Sequence, residues 1–225
     1  MEKGLGIAFD LGEELAPAFL RGVNFGNDFL EFDLKFEQGV RIGGFGGKVL
    51  ERLGAVPQNI PGGDIYPALE KGTIDSAEWI GPYDDLKLGF NKVAPYYYYP
   101  GFWEGGPQLD FFINDKAFNG LSAELKAIVE AAASHAHVDM QAKYDARNPA
   151  ALKQLVGSGT KLREFPKDVM ASAFKEAMAL YDEISAKNES WKKIYGDYAK
   201  FRADQNLWFR FTEMGFDRFM QSQKL

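Results

Sequence analysis

Arg41, the pair Glu78 and Trp79, and Glu104 are the residues whose types and spacing best suit chemistry. Arg41 closes a short apolar run and precedes the cluster Gly43, Gly44, Gly46 and Gly47. A planar guanidinium there can meet a carboxylate with two parallel hydrogen bonds, and glycines beside it let a small ligand come close. A solvated or internally paired arginine fits the same residues. Glu78, Trp79 and, in the segment FWEGGP, Glu104 place carboxylates among aromatic rings and bent backbone. Such carboxylates can supply hard oxygen ligands to a cation. Aromatic walls with a few charges also suit small organic anions, because excluding water strengthens an ion pair.

Other chemistries fail on spacing. The glycine cluster is no P-loop: Ile42 stands where its first glycine belongs, and Val49 where Ser or Thr would hold the metal. Val49 also replaces the third glycine of a dinucleotide fingerprint. His135 and His137 are two apart in a helical stretch and face nearly opposite ways, so both read as structural. Cysteine is absent and no serine sits in a G-x-S-x-G turn, leaving no visible nucleophile and no sign of an enzyme. With 26 Lys and Arg against 32 Asp and Glu, the net charge of −6 lacks the basic excess that nucleic acid requires.

The elements that must position these residues follow from period and punctuation. Alternation in LEFDLKF predicts a strand over 30–36 with one wet face, preceded by a short helix over 13–21. A strand over 40–42 leads through the glycines into a helix over 48–53. Asp64 reads as the N-cap of a helix over 65–71, and 74–80 as a strand. Strand, helix, helix, strand at this spacing is an α/β layer. Residues 81–107, rich in Gly, Pro and Tyr, read as irregular or edge structure forming a hinge or a pocket-lining segment. A short strand over 109–113 precedes a long helix over 121–146, on which Leu125, Ile128, Val129, Ala132, Ala136 and Met140 keep the 3.6-residue period. Asn148 and Pro149 end it and start another over 150–156. A strand over 161–165, a helix from Pro166 to Lys187, and a final helix capped by Ser190 and laden with Trp191, Tyr195, Tyr198, Phe201, Trp208 and Phe211 complete the chain. The acidic N-terminus lacks the basic start and apolar run of a secretory signal, and no apolar run nears the ~18 residues of a membrane span.

From RIGGFGGK through ALEKGTID and SAEWIG to PGFWEGGP, the sequence closely resembles the extracytoplasmic solute receptors of TRAP transporters, in particular the branch that binds 2-oxo acids and lactate. The resemblance implies an α/β, periplasmic-binding-protein-like lobe with long C-terminal helices over 39–225. Residues 1–38 form an atypical segment unlike the family's first lobe, and the family's glutamine metal ligand has no counterpart. It further implies that Arg41 grips the carboxylate of a small organic acid, while the Trp79 carbonyl and the Glu104 carboxylate hold Na⁺ or Ca²⁺, with Glu78 contributing to both. A periplasmic location and a TRAP membrane permease as partner follow from it, as does either a homodimer through the C-terminal helix or that helix folded back onto the domain's own sheet. The competing reading is a shortened or redesigned structural domain with a half-site that no longer binds.

Overall fold

The computed structural model describes residues 7–9, 39–102 and 109–223. The expected helix over 13–21, the strand over 30–36 and Glu104 lie outside them. Six short strands form one mixed sheet: β1 (Ile7–Phe9), β2 (Val40–Arg41), β3 (Pro57–Gln58), β4 (Ser76–Glu78), β5 (Tyr96–Tyr99) and β6 (Lys161–Glu164), in the order β3-β2-β4-β1-β5-β6. β2 runs parallel to both β3 and β4, with Arg41 level with Gln58 and Ala77. β1 is antiparallel to β4 and β5, setting Ala8 between Ala77 and Tyr97, and β6 is parallel to β5.

Helices cover both faces, as a largely parallel sheet requires. Along Tyr96–Tyr99, Tyr98 packs with Val40, Ile42, Leu50 and Ala55, while Tyr97 joins Ile65, Leu69, Ile74, Ala77, Phe90 and Ala94. The period-2 alternation of a strand thus sends neighbouring tyrosines into two different cores. Helix α1 (Gly44–Arg52) caps the first core, and its Val49 meets Ala173 and Leu180 of the later helix Lys167–Lys187. Helix α2 (Gly62–Glu70) covers the second, together with Phe90 in the turn that follows α3 (Pro82–Leu88).

Several boundaries differ from the sequence expectation for identifiable reasons. Helix α1 starts at Gly44 instead of Lys48, and Gly44 takes a φ of 59°, a backbone conformation that favours glycine. Helix α2 is capped by Pro61, and Asp64 lies in its first turn instead of capping it. Residues 81–107 contain α3 and β5, not only irregular chain. Residues 109–113 form no strand, and Phe112 is 94 % exposed.

Asn148 and Pro149 do not break the long helix. After α4 (Asp115–Asn119), α5 runs unbroken over Ala123–Gly157, capped by Ser122. The Asn148 side chain accepts the Tyr83 amide at 3.0 Å and so serves the start of α3 in place of ending its own helix. Tyr83 also packs edge-on against Tyr144, and its hydroxyl accepts from Arg147 at 2.6 Å. The other end of α5 lacks such cover: Leu125 and Ile128 are exposed despite their period.

Helix α6 (Lys167–Lys187) leads into α7 (Glu189–Phe211), which is capped by Asn188 and not by Ser190, and then into α8 (Glu213–Ser222). Trp191 and Tyr195 stack with ring centroids 5.7 Å apart and fold back on Phe45 and Tyr181. Beyond them Tyr198, Phe201, Trp208, Phe211, Phe216 and Phe219 stay exposed. No helix among the described residues is long and apolar enough to cross a membrane.

Candidate functional site

Parallel pairing of β2 with β4 brings the candidate residues together. Arg41 and Glu78 end adjacent strands at the same, carboxyl-terminal edge, where open α/β sheets gather ligands. The Arg41 guanidinium is about 15 % exposed and reaches across the strand ends. Its Nε donates to the Ile60 carbonyl at 3.1 Å, and its Nη1 donates to the Glu78 carbonyl at 2.9 Å and to Glu78 Oε2 at 3.3 Å. Nη2 donates to no acceptor among the described residues. The guanidinium also lies over the Trp79 ring, 4.9 Å from its centroid, where the negative face of the indole attracts a cation.

Trp79 owes its place to a glycine. Its ring rests on the first turn of α2, where a Cβ on Gly62 would stand 2.5 Å from Cη2 and 3.0 Å from Cζ2. Glu78 faces a cavity of about 410 Å³ on its other side, whose further walls include Phe45, Phe102, Tyr181, Tyr198 and Arg202. Its size is within the range of small-molecule sites, and its rings are of the kind that exclude water from an ion pair.

The turn leaving Trp79 is held from below. Asp85, 2 % exposed on α3, accepts the Tyr97 hydroxyl at 2.5 Å through Oδ2, while Oδ1 reaches back to the amides of Ile80 at 3.5 Å and Gly81 at 3.4 Å. Burial pushes the Asp85 carboxyl up to about 7, against the pull of Tyr97 and the two amides. Burial and the neighbouring Asp85 likewise raise the Tyr97 phenol far above its ordinary range, so it stays protonated and donates.

Of the expected site residues, the structure brings Arg41, Glu78 and Trp79 into contact, and Glu104 lies outside the described residues. Among the described residues no group of three or more acidic or imidazole side chains gathers to hold a metal ion. A hard cation here would therefore need the Glu78 carboxylate joined by oxygen donors from elsewhere. Oxygen-only donors of this kind suit Na⁺ or Ca²⁺. Sequence reasoning missed Gly62, the Ile60 carbonyl, Asp85 and Arg202. Only Gly62 left a signal, in the PGGD run that begins α2 without a Cβ.

The chain is similar to several known proteins. Residues 33–188 match the family described as bacterial extracellular solute-binding protein, family 7. The chain is 43 % identical over 185 residues to a monocarboxylate 2-oxoacid-binding periplasmic protein of Nostoc sp., covering 82 % of this chain and 51 % of that protein. A TRAP transporter solute-binding protein from Bordetella bronchiseptica, a mixed-occupancy dimer with copurified calcium and picolinate, is 49 % identical, with a TM-score of 0.78 over 85 % of this chain and 56 % of its own. A TRAP periplasmic solute-binding protein from Pseudoalteromonas atlantica, with bound sodium and pyruvate, is 32 % identical, with a TM-score of 0.79 over 99 % of this chain and 63 % of its own. The chain thus spans about half the length of the curated relative it matches. With the family match over most of its length and a relative 43 % identical over 82 % of it, this chain belongs to the family 7 bacterial extracellular solute-binding proteins.

Proposed function

We propose that this chain binds a small 2-oxo or 2-hydroxy carboxylate together with Na⁺ or Ca²⁺, as the periplasmic solute-binding component of a TRAP-type transporter that hands its ligand to a membrane permease. It acts as a receptor, in a family of binding proteins and not of enzymes. The observation that carries the reading is the Arg41 guanidinium, fixed by two backbone carbonyls and the Trp79 ring, with Nη2 donating to no acceptor among the described residues. A ligand carboxylate can take Nη2 at once. To form the two-bond fork it must also take an Nη1 proton, and the Glu78 carboxylate at 3.3 Å is the weaker of the two contacts there. A cation drawn to Glu78 releases that proton and screens two carboxylates that would otherwise repel. Cation and acid therefore bind with positive coupling.

Calorimetry of the chain with pyruvate and with lactate, in buffers holding neither cation, Na⁺ or Ca²⁺, tests this. Binding is expected only with a cation. Absence of heat in every buffer would reject it in favour of a half-site that no longer binds.

A second copy of the chain is the proposed cover for α7 and α8. Phe201, Trp208, Phe211, Phe216 and Phe219 are all more than half exposed, and rings in that number are costly to leave wet. A two-fold pair that apposes these helices buries them in both copies at once. Light scattering is expected to give twice the 25.2 kDa of one chain. A single-chain mass at all concentrations would sink the pairing.

A further inference from the structure

Asp85 is not among the residues that would touch acid or cation, yet it is built into the corner that presents them. Helix α3 opens at Gly81, and each early amide has a partner: Tyr83 donates to Asn148 of α5, and Asp84 and Asp85 donate to the Gly81 carbonyl at 3.1 and 2.9 Å. That leaves Ile80 and Gly81, the two amides directly after Trp79, and the Asp85 carboxylate reaches back to both. At 3.4 to 3.5 Å these are long contacts, so their strength depends on the charge of the acceptor. Tyr97 fixes the other carboxylate oxygen from the strand β5, which β1 joins to β4. Sheet, helix start and ligand-bearing turn thus converge on one buried side chain.

We propose that Asp85, clamped by Tyr97, is a positioning residue of the ligand site: its carboxylate holds the Ile80 and Gly81 amides and so sets the backbone on which Glu78 and Trp79 present their oxygens. The consequence for binding rests on the carboxylate reading above, whereas the positioning itself does not. A carboxylate here carries a cost that an asparagine of the same shape would avoid. Burial gives the folded protein a carboxyl pKa of about 7 against 3.8 for the free group, so between those values the folded chain binds more protons than the unfolded one. Stability consequently falls as pH rises through that window, and the full penalty is present above it. The groups facing the carboxyl are Asp84 on its own helix, Tyr97 from β5 and Tyr144 from α5. Near pH 7 the carboxyl is therefore divided between its charged and protonated forms; hydrogen bonds from Tyr97, Ile80 and Gly81 favour the charged one, and the last two belong to the site's own backbone. Protonation would replace an acceptor with a hydroxyl and slacken that hold.

The test uses the ¹⁵N-labelled chain and its Asp85→Asn and Tyr97→Phe variants, with thermal unfolding to establish that each is folded. In the wild type, the amide protons of Ile80 and Gly81 are expected to shift between pH 8 and pH 6 with one midpoint. Asp85→Asn should remove the titration and speed their hydrogen exchange several-fold, while amides in the middle of α5 stay unchanged. Tyr97→Phe should raise the midpoint. Pyruvate affinity in Na⁺ buffer should fall three- to tenfold from pH 8 to pH 6 in the wild type and stay flat and low in Asp85→Asn. Ile80 and Gly81 amides that ignore both pH and the Asn substitution would overturn the positioning role, as would tight, wild-type binding by Asp85→Asn at pH 8. If the wild type binds no pyruvate at all, the carboxylate reading fails, and the amide shifts and exchange rates still decide for or against Asp85.

Discussion

Arg41→Lys is expected to weaken pyruvate binding in cation-containing buffer by about 10- to 100-fold, the equivalent of one charge-assisted hydrogen bond of ~1.5–3 kcal/mol. Lysine keeps the charge but cannot reach two ligand oxygens in one plane. The structure adds a second loss. The guanidinium already donates to the Ile60 and Glu78 carbonyls, and a single ammonium cannot serve both while also facing a ligand. Stability should therefore drop by about 1–2 kcal/mol, a shift of a few degrees in Tm for a chain of this size. Glu78→Gln separates the two tasks, because it keeps the backbone carbonyl that anchors Arg41 and removes only the carboxylate. Binding in that variant should lose its dependence on Na⁺ or Ca²⁺. An Arg41→Lys chain with an unchanged Kd and a lowered Tm would make Arg41 purely structural.

Residue type and local order carried the corner Arg41, Glu78, Trp79 in the sequence, because an arginine beside glycines and a carboxylate beside an indole are visible in one dimension. Their contact was not visible, since it depends on β2 lying parallel to β4 with Arg41 level with Ala77, a register written in no local pattern. Non-local partners explain the other differences. The tyrosine strand Tyr96–Tyr99 is bounded by Pro95 and Pro100 and shows no polar alternation, because its middle residues Tyr97 and Tyr98 are buried on opposite faces and only pairing with β1 and β6 reveals it. Asn148 and Pro149 carry a local stop signal, yet the Asn148 side chain is used by Tyr83, 65 residues away. The periodic face of α5 near Leu125 predicts burial and remains exposed for the complementary reason: periodicity records a partner surface, and among the described residues none lies there.

Gly62 is the position where the smallest change should do most to the site. An alanine there places a methyl 2.5 Å from Trp79 Cη2 and within 3.2 Å of Cζ3, closer than carbon atoms approach, so the indole must leave its bed on α2. The substitution suits the helix itself, since Gly62 is the first residue of α2 and alanine is the better helix former by roughly 1 kcal/mol. Any loss therefore reports the ring and not the backbone. Overpacking of this kind costs about 1–3 kcal/mol, and the displaced indole also withdraws the face that Arg41 rests on at 4.9 Å. The expected outcome is a lower Tm despite the gain in helix propensity, with pyruvate binding reduced at least tenfold because Arg41 and the Trp79 carbonyl move together. Adding Trp79→Phe to Gly62→Ala tests the cause: the shorter ring lacks the atoms that the methyl meets, so Tm should recover. A Gly62→Ala chain with wild-type Tm and wild-type affinity would show that Trp79 can shift freely, and that its stacking on α2 does not organise the site.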